Sequence, residues 1–81
     1  MNKVLVEICI PAIGERFDIF APVDVPIKEL TVVMASGVAE LTNGNYIASG
    51  LEHLCMAAGL MDPALTLQDY GVKAGMQLYL V

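Results

Sequence analysis

The sequence predicts an α+β fold in a single domain, with a mixed sheet of four to five strands packed on one main helix. Three observations lead to this prediction. Two strand-like apolar runs flank a glycine-containing loop near the N-terminus, a helical pattern occupies the middle of the chain, and an alternating run ends it. The length of 81 residues suits one domain that spans residues 1–81.

The composition restricts the kinds of partner that the domain can have. Apolar residues make up 57% of the chain, so a body this small must leave some of them exposed, which favours a protein partner or weak self-association. Nine acidic residues against four basic ones give a net charge of −5, which argues against binding to nucleic acid or to anionic membranes. We therefore expect other proteins as partners, and a possible weak homo-oligomer.

Cysteine usage and the chain start predict the compartment. Cys9 and Cys55 are the only cysteines, too few for a secreted disulfide scaffold, so we expect reduced thiols. The first residues lead directly into a strand without a signal-peptide pattern, and no apolar run is long enough to span a bilayer. The sequence thus predicts a cytoplasmic protein without membrane insertion.

The N-terminal segment predicts a β-hairpin. Lys3 to Ile10 alternates, with Val4, Val6, Ile8 and Ile10 on one face and Lys3, Leu5, Glu7 and Cys9 on the other. Pro11 to Glu15, which contains Gly14, forms the loop. Arg16 to Ala21 follows as an antiparallel strand with Phe17 and Ile19 inward.

The segment from Pro26 to about Leu41 predicts the helix. Pro26 suits the first turn, with Asp24 or Val25 near the cap. Apolar residues recur at helical spacing. They are Ile27, Leu30, Val33 or Met34, Val38 and Leu41. Gly37 costs the helix about 1 kcal/mol relative to alanine unless close packing or an early helix end explains it.

Tyr46 to Leu65 supports two interpretations. By propensity alone, Leu51 to Ala58 is helical because alanine, methionine and leucine dominate it. Its position before the closing strand, followed by Gly59 and Asp62-Pro63, instead favours a short strand and a turn. We predict the strand.

The C-terminal segment predicts a capped turn and a central strand. Thr66 and Asp69 have capping-box spacing, which starts a short helical turn that Gly71 ends. Met76 to Val81 is a strand with Leu78 and Leu80 on its buried face. We expect this strand in the centre of the sheet, beside the first strand.

This order of elements resembles the β-grasp, and Thr66-Leu67-Gln68-Asp69-Tyr70 resembles the run before the last strand of ubiquitin. That resemblance implies a hydrogen bond from Tyr70 to backbone near Met61 or Asp62. A more specific similarity is to the YukD/EsaB family of type VII (WXG100) secretion systems. It rests on Pro26-Ile27-Lys28 at the helix start and on the run from Asp69 to Gly75, and it covers nearly the whole chain in pattern.

The sequence offers no credible catalytic, cofactor or metal site. With a single histidine, His53, no Ser/His/Asp triad is plausible, and Cys9, Cys55 and His53 are one ligand short of a closed zinc site. We expect both cysteines to be ordinary apolar residues and His53 to be an exposed strand residue. We therefore predict that the protein is not an enzyme and needs no cofactor.

The remaining candidate is an apolar recognition surface on the exposed sheet face, by analogy with ubiquitin. Matching by position gives five residues. They are Ile13, Leu54, Met56, Tyr79 and Val81. The alternative is that Leu54 or Met56 belongs to the core and this patch does not exist.

The resemblance implies a ubiquitin-like adaptor or regulator of a bacterial type VII secretion system. Conjugation needs a flexible tail that ends in Gly-Gly, whereas this sequence ends in Leu80-Val81, so we expect neither conjugation nor sulfur transfer. The alternatives are a stand-alone β-grasp interaction module of another bacterial pathway, or a tail-less relative of the sulfur carriers.

Overall fold

The computed structural model describes residues 2–81, which form one helix and a five-stranded mixed sheet. The elements are β1 (Lys3–Ile10), β2 (Glu15–Pro22), α1 (Ile27–Leu41), β3 (Leu54–Met56), β4 (Gly59–Leu60) and β5 (Gln77–Leu80). The strand order is β2-β1-β5-β3-β4, with β1 and β5 parallel and the other pairs antiparallel. This is the predicted ubiquitin-like β-grasp, with β5 in the centre beside β1.

The β1–β2 hairpin follows its prediction closely. β1 has the predicted bounds, and β2 extends one residue further at each end than Arg16 to Ala21. Val6, Ile8 and Ile10 are fully buried, whereas Phe17 and Ile19 are only half-buried. β2 buries less because it is an edge strand of the sheet.

Helix α1 lies on one face of the sheet through an apolar stripe. Its buried residues are Ile27, Leu30, Thr31, Met34, Ala35 and Val38. Met34 rather than Val33 takes the inward position. Leu41 was expected to be in the stripe but is exposed, because it faces an open groove beside β2.

Loop carbonyls stabilise the start of α1, and the N-cap is not Asp24 or Val25, as expected from the sequence, but Pro26. Pro26 is the N-cap and makes no side-chain capping bond, so neither Asp24 nor Val25 occupies that position. The N–H groups of Ile27 and Lys28 donate to the carbonyls of Leu65 at 2.8 Å and Pro63 at 3.0 Å. The first turn of a helix leaves such N–H groups unpaired, so this distant loop completes the helix.

The ambiguous middle segment forms a short hairpin, which confirms the choice of a strand over a helix. β3 covers only Leu54–Met56 of the predicted run and pairs with β5 on one side and β4 on the other. His53 and Val81 extend the β3–β5 ladder with backbone hydrogen bonds of 2.7 and 2.9 Å. Alternation along β3 puts Leu54 in the core and turns Cys55 to the other face.

The segment before β5 has the predicted capping box but no helix. Residues 67–71 form hydrogen-bonded turns, and the Gly71 N–H donates to the Gln68 carbonyl at 3.0 Å. Gly71 has φ +66°, a left-handed conformation that stops helix growth after one turn. Leu67 is fully buried and anchors this turn under the helix start, where Thr66 bridges to Pro26.

Candidate interaction surface

The sheet face opposite the helix presents a row of side chains from four strands. Strand register places Cys9 beside Tyr79, Tyr79 beside Cys55, and Cys55 beside Leu60. Residues directly opposite each other in a sheet point to the same face. Val81 lies two residues beyond Tyr79 and so shares this face. We call Cys9, Tyr79, Cys55, Leu60 and Val81 the outer strip.

Two of the five predicted recognition residues belong to the outer strip. Tyr79 is half-buried, and its side chain lies between the two cysteines along the row. Val81 has 53% of its side chain exposed. An apolar aromatic beside an exposed valine is the kind of contact surface that protein interfaces use.

The other three predicted residues do not lie on this surface as expected. Leu54 is only 2% exposed, so its place in an exposed patch is corrected: it belongs to the core. Met56 shares its face and is half-buried against the core. Ile13, in the β1–β2 loop, is also half-buried against the core. For Leu54 and Met56 the reason is the register of β3, since Leu54 pairs with the buried Leu80.

Sequence reasoning missed Cys9, Cys55 and Leu60 as members of this surface. Strand alternation puts Leu54 and Met56 on one face of β3 and Cys55 on the other, but it does not say which face lies against the helix. His53 is exposed, as predicted. Leucine and methionine suit both a buried core and an apolar contact surface. The pairing of β3 with β5 therefore decides which face of β3 lies against the helix.

Glu7, Arg16 and Gln77 form a polar cluster beside the outer strip on the same sheet face. The Gln77 amide donates to the Glu7 carboxylate at 2.6 Å, and the Arg16 guanidinium lies 3.9 Å from the same carboxylate. Burial and the neighbouring Glu7 raise the pKa of the Cys9 thiol. Cys9 therefore stays a neutral thiol at neutral pH, which suits an apolar contact better than nucleophilic chemistry.

The three residues predicted to be structural behave as expected in geometry. The Asp69 N–H donates to the Thr66 hydroxyl at 3.1 Å, and the Thr66 N–H donates to the Asp69 carboxylate at 2.9 Å. This is the reciprocal bonding of a capping box. The Asp62 N–H donates to the Tyr70 hydroxyl at 2.6 Å, which ties the loop before the capping box to the turn after it.

A second polar cluster orders the loop between α1 and β3. The Glu52 carboxylate accepts from the N–H groups of Ser49 at 2.6 Å and Gly50 at 2.9 Å, and from the Tyr46 hydroxyl at 3.0 Å. Burial alone would raise the pKa of Glu52, but hydrogen bonds from backbone N–H groups and from the Tyr46 and Ser49 hydroxyls lower it to about 2. Burial and Glu52 raise the pKa of Tyr46 to about 12.

Residues 2–81 provide no constellation for metal chemistry and no bilayer-spanning helix. Nowhere in this range do three or more His, Cys, Asp or Glu side chains gather in a way that could hold a metal ion. The single helix of this range is too short to cross a membrane.

Comparisons with known proteins identify the fold. No family model matches the sequence, and no curated protein matches it. Among solved structures, the ubiquitin-like domain of the Mycobacterium tuberculosis type VII secretion protein EccD1 is similar, with a TM-score of 0.81 and 20% identity over 100% of this chain and 99% of that one.

Two further structures show how widely this fold is shared. A chain of the ESX-5 inner membrane complex aligns with a TM-score of 0.73 and 19% identity over 100% of this chain, which spans only 21% of that chain. The ubiquitin-like domain of Plasmodium falciparum Dsk2 gives a TM-score of 0.71 and 17% identity over 99% of this chain and 100% of that one. At these identities the likeness establishes a ubiquitin-like fold.

Proposed function

We propose that this domain is a non-conjugated adaptor or regulatory component of a bacterial type VII (WXG100) secretion system, similar to YukD/EsaB proteins. It acts on the cytoplasmic side by binding other components of that system, and it catalyses no reaction. The observation that carries this proposal is the likeness to the EccD1 domain, which extends over all of this chain and has a higher TM-score than that to the Dsk2 domain.

The outer strip supports a role in protein binding. It places Tyr79 and the exposed Val81 and Leu60 on one sheet face, on which Leu5 and the exposed Phe20 also lie, further along β1 and β2. Interfaces commonly combine an aromatic or aliphatic centre with a polar rim, and here Glu7, Arg16 and Gln77 lie at the edge of the strip.

The test is export in the bacterium that encodes the chain. A Tyr79→Ala, Val81→Ser double variant should remain folded and be expressed normally, yet it should lose secretion of WXG100 substrates. The expected loss follows because truncating such anchors typically costs an interface more than about 1 kcal/mol. Secreted substrate is measured in culture supernatants, and folding is measured by denaturation of the purified domain.

The matched control removes exposed apolar surface elsewhere. Ile47 and Leu51 are 81% and 80% exposed on the α1–β3 loop, so an Ile47→Ser, Leu51→Ser variant should export normally. Leu78→Ala, in the core, should lose export by unfolding.

Normal export by a strain that lacks the gene would contradict the secretion role. Normal export by the stable Tyr79→Ala, Val81→Ser variant would instead move the working surface away from the strip.

A further inference from the structure

The free edge of β2 carries unpaired backbone groups in a regular pattern. β2 is the outermost strand of the sheet and pairs only with β1 on its inner side. The Val23 N–H bonds to the Asn2 carbonyl at 3.0 Å. Antiparallel residues alternate between bonded and non-bonded pairs, so Ala21 and Ile19 direct their backbone groups toward β1. Phe20, Asp18 and Arg16 therefore direct theirs outward.

An apolar groove of about 420 Å³ runs between this edge and the helix. Its lining residues are Ile19, Phe20, Ala21, Pro22, Leu30, Val33, Met34, Gly37, Glu40 and Leu41. Val33 is 67% exposed and Leu41 is 61% exposed, which leaves apolar surface open to solvent on the helix side. A Cβ atom built on Gly37 would meet no heavy atom within 4 Å, so space for it exists in the groove wall.

The backbone pattern and the groove fit one kind of occupant. An added strand would bond to the outward N–H and carbonyl groups of Phe20, Asp18 and Arg16. Its residues opposite Ile19 and Ala21 would share their face of the sheet and enter the groove. In an extended chain these two positions lie two residues apart in sequence, with one residue between them that points to the other face. The occupant therefore needs apolar residues at positions i and i+2.

Two further features limit the occupant's position and charge. Pro22 has no N–H to donate, so strand addition stops at that end of β2. Glu40 is the charged residue among those that line the groove, whereas the free edge carries one charge of each sign, Asp18 and Arg16. Glu40 is acidic, as is the chain at −5, so a basic residue beside the apolar pair complements the groove.

We infer that the β2 edge is a binding site for an extended peptide segment of a partner protein, with apolar residues at i and i+2 and an adjacent lysine or arginine. The segment joins the sheet as a sixth strand beside β2 and places its apolar side chains under α1. This site is separate from the outer strip, and the binding does not depend on which system the domain serves.

The test uses the purified domain and a displayed library of short random peptides. Selection should enrich the alternating apolar pattern with a basic residue beside it. A selected peptide, synthesised and titrated, should slow amide hydrogen exchange of Phe20 and Asp18, because their N–H groups become bonded. A ligand that merely filled the groove would not protect these outward amides.

Two variant pairs locate the site. Asp18→Pro removes an outward N–H without removing a bond to β1, so it should weaken binding by about tenfold or more. Asp18→Asn keeps the N–H and should still bind.

Val33→Asp should weaken binding similarly, because the apolar side chains of the peptide would have to bury its carboxylate in the groove. Val32→Asp is its matched control, since Val32 is 60% exposed on α1 but does not line this groove. The Val33 pair decides the matter if Asp18→Pro does not fold.

Several outcomes would overturn the inference. They are a selection that enriches no such pattern, selected peptides that bind the Val33→Asp variant as well as the wild type, and unchanged exchange of the Phe20 and Asp18 amides. Sedimentation that shows a dimer for the wild type and a monomer for Val33→Asp would identify a second copy, rather than a foreign peptide, as the occupant.

Discussion

The Tyr70 hydroxyl accepts the Asp62 N–H at 2.6 Å, and this single contact closes the loop that carries the helix-capping carbonyls. Tyr70→Phe removes the acceptor and should lower the free energy of unfolding by about 1 kcal/mol, because water can reach the exposed Asp62 N–H and limits the loss. Chemical denaturation measures it.

The control for this prediction is Tyr79→Phe. The Tyr79 hydroxyl contacts the Gln77 side chain at 3.4 Å on an exposed sheet face, so its removal should change stability by less than about 0.5 kcal/mol. Equal losses for both variants would mean that the Asp62 bond has no special role.

Glu52 makes stability depend on pH in the acid range. Its pKa is lowered from 4.5 to about 2, so its ionised form stabilises the folded state. A lowered pKa gives stabilisation that is present above pH 4.5 and is lost as the pH falls toward about 2. The free energy of unfolding should therefore fall less over this range in Glu52→Gln than in the wild type.

The matched control for Glu52 is Glu15→Gln, which changes an exposed carboxylate at the start of β2. Its denaturation midpoints should follow the wild-type curve from pH 6 to 2. A Glu52→Gln curve parallel to the wild type would show that the loop cluster does not contribute to acid stability.

At the scale of elements, α1 is bound to the sheet by one face. Leu30 is 2% exposed in the core, so Leu30→Ala leaves a cavity and should lower the free energy of unfolding by about 2–5 kcal/mol. Lys28→Ala changes an exposed position and should stay within about 0.5 kcal/mol. Similar losses for both in urea titrations would contradict the amphipathic assignment.

At the scale of the whole molecule, the sheet topology separates the two cysteines. Cys9 and Cys55 both neighbour Tyr79 in register, on opposite sides of β5. Two strand spacings amount to about 10 Å, whereas a disulfide needs Cα atoms within about 7 Å. Under oxidising conditions the monomer should therefore keep two free thiols. Its thermal unfolding midpoint should be the same with and without reductant. Mass spectrometry that finds an internal disulfide would contradict this strand order.

Local patterns in the sequence determined most of the secondary structure. The alternation of Lys3 to Ile10 and of Met76 to Val81 predicted which side chains are buried, and the spacing of Thr66 and Asp69 predicted the capping box. These features involve neighbours within a few residues, so the period of the pattern contains the needed information. The resemblance to ubiquitin added the Tyr70 contact with Asp62.

Tertiary structure decided what depends on distant pairing. The three residues of β3 take their facing from β5, which buries Leu54 and turns Cys55 outward. The start of α1 takes its caps from Pro63 and Leu65. The outer strip joins residues from β1, β3, β4 and β5. A pattern within one segment specifies a buried face but not the strand that covers it, because that choice depends on packing between segments far apart in the chain.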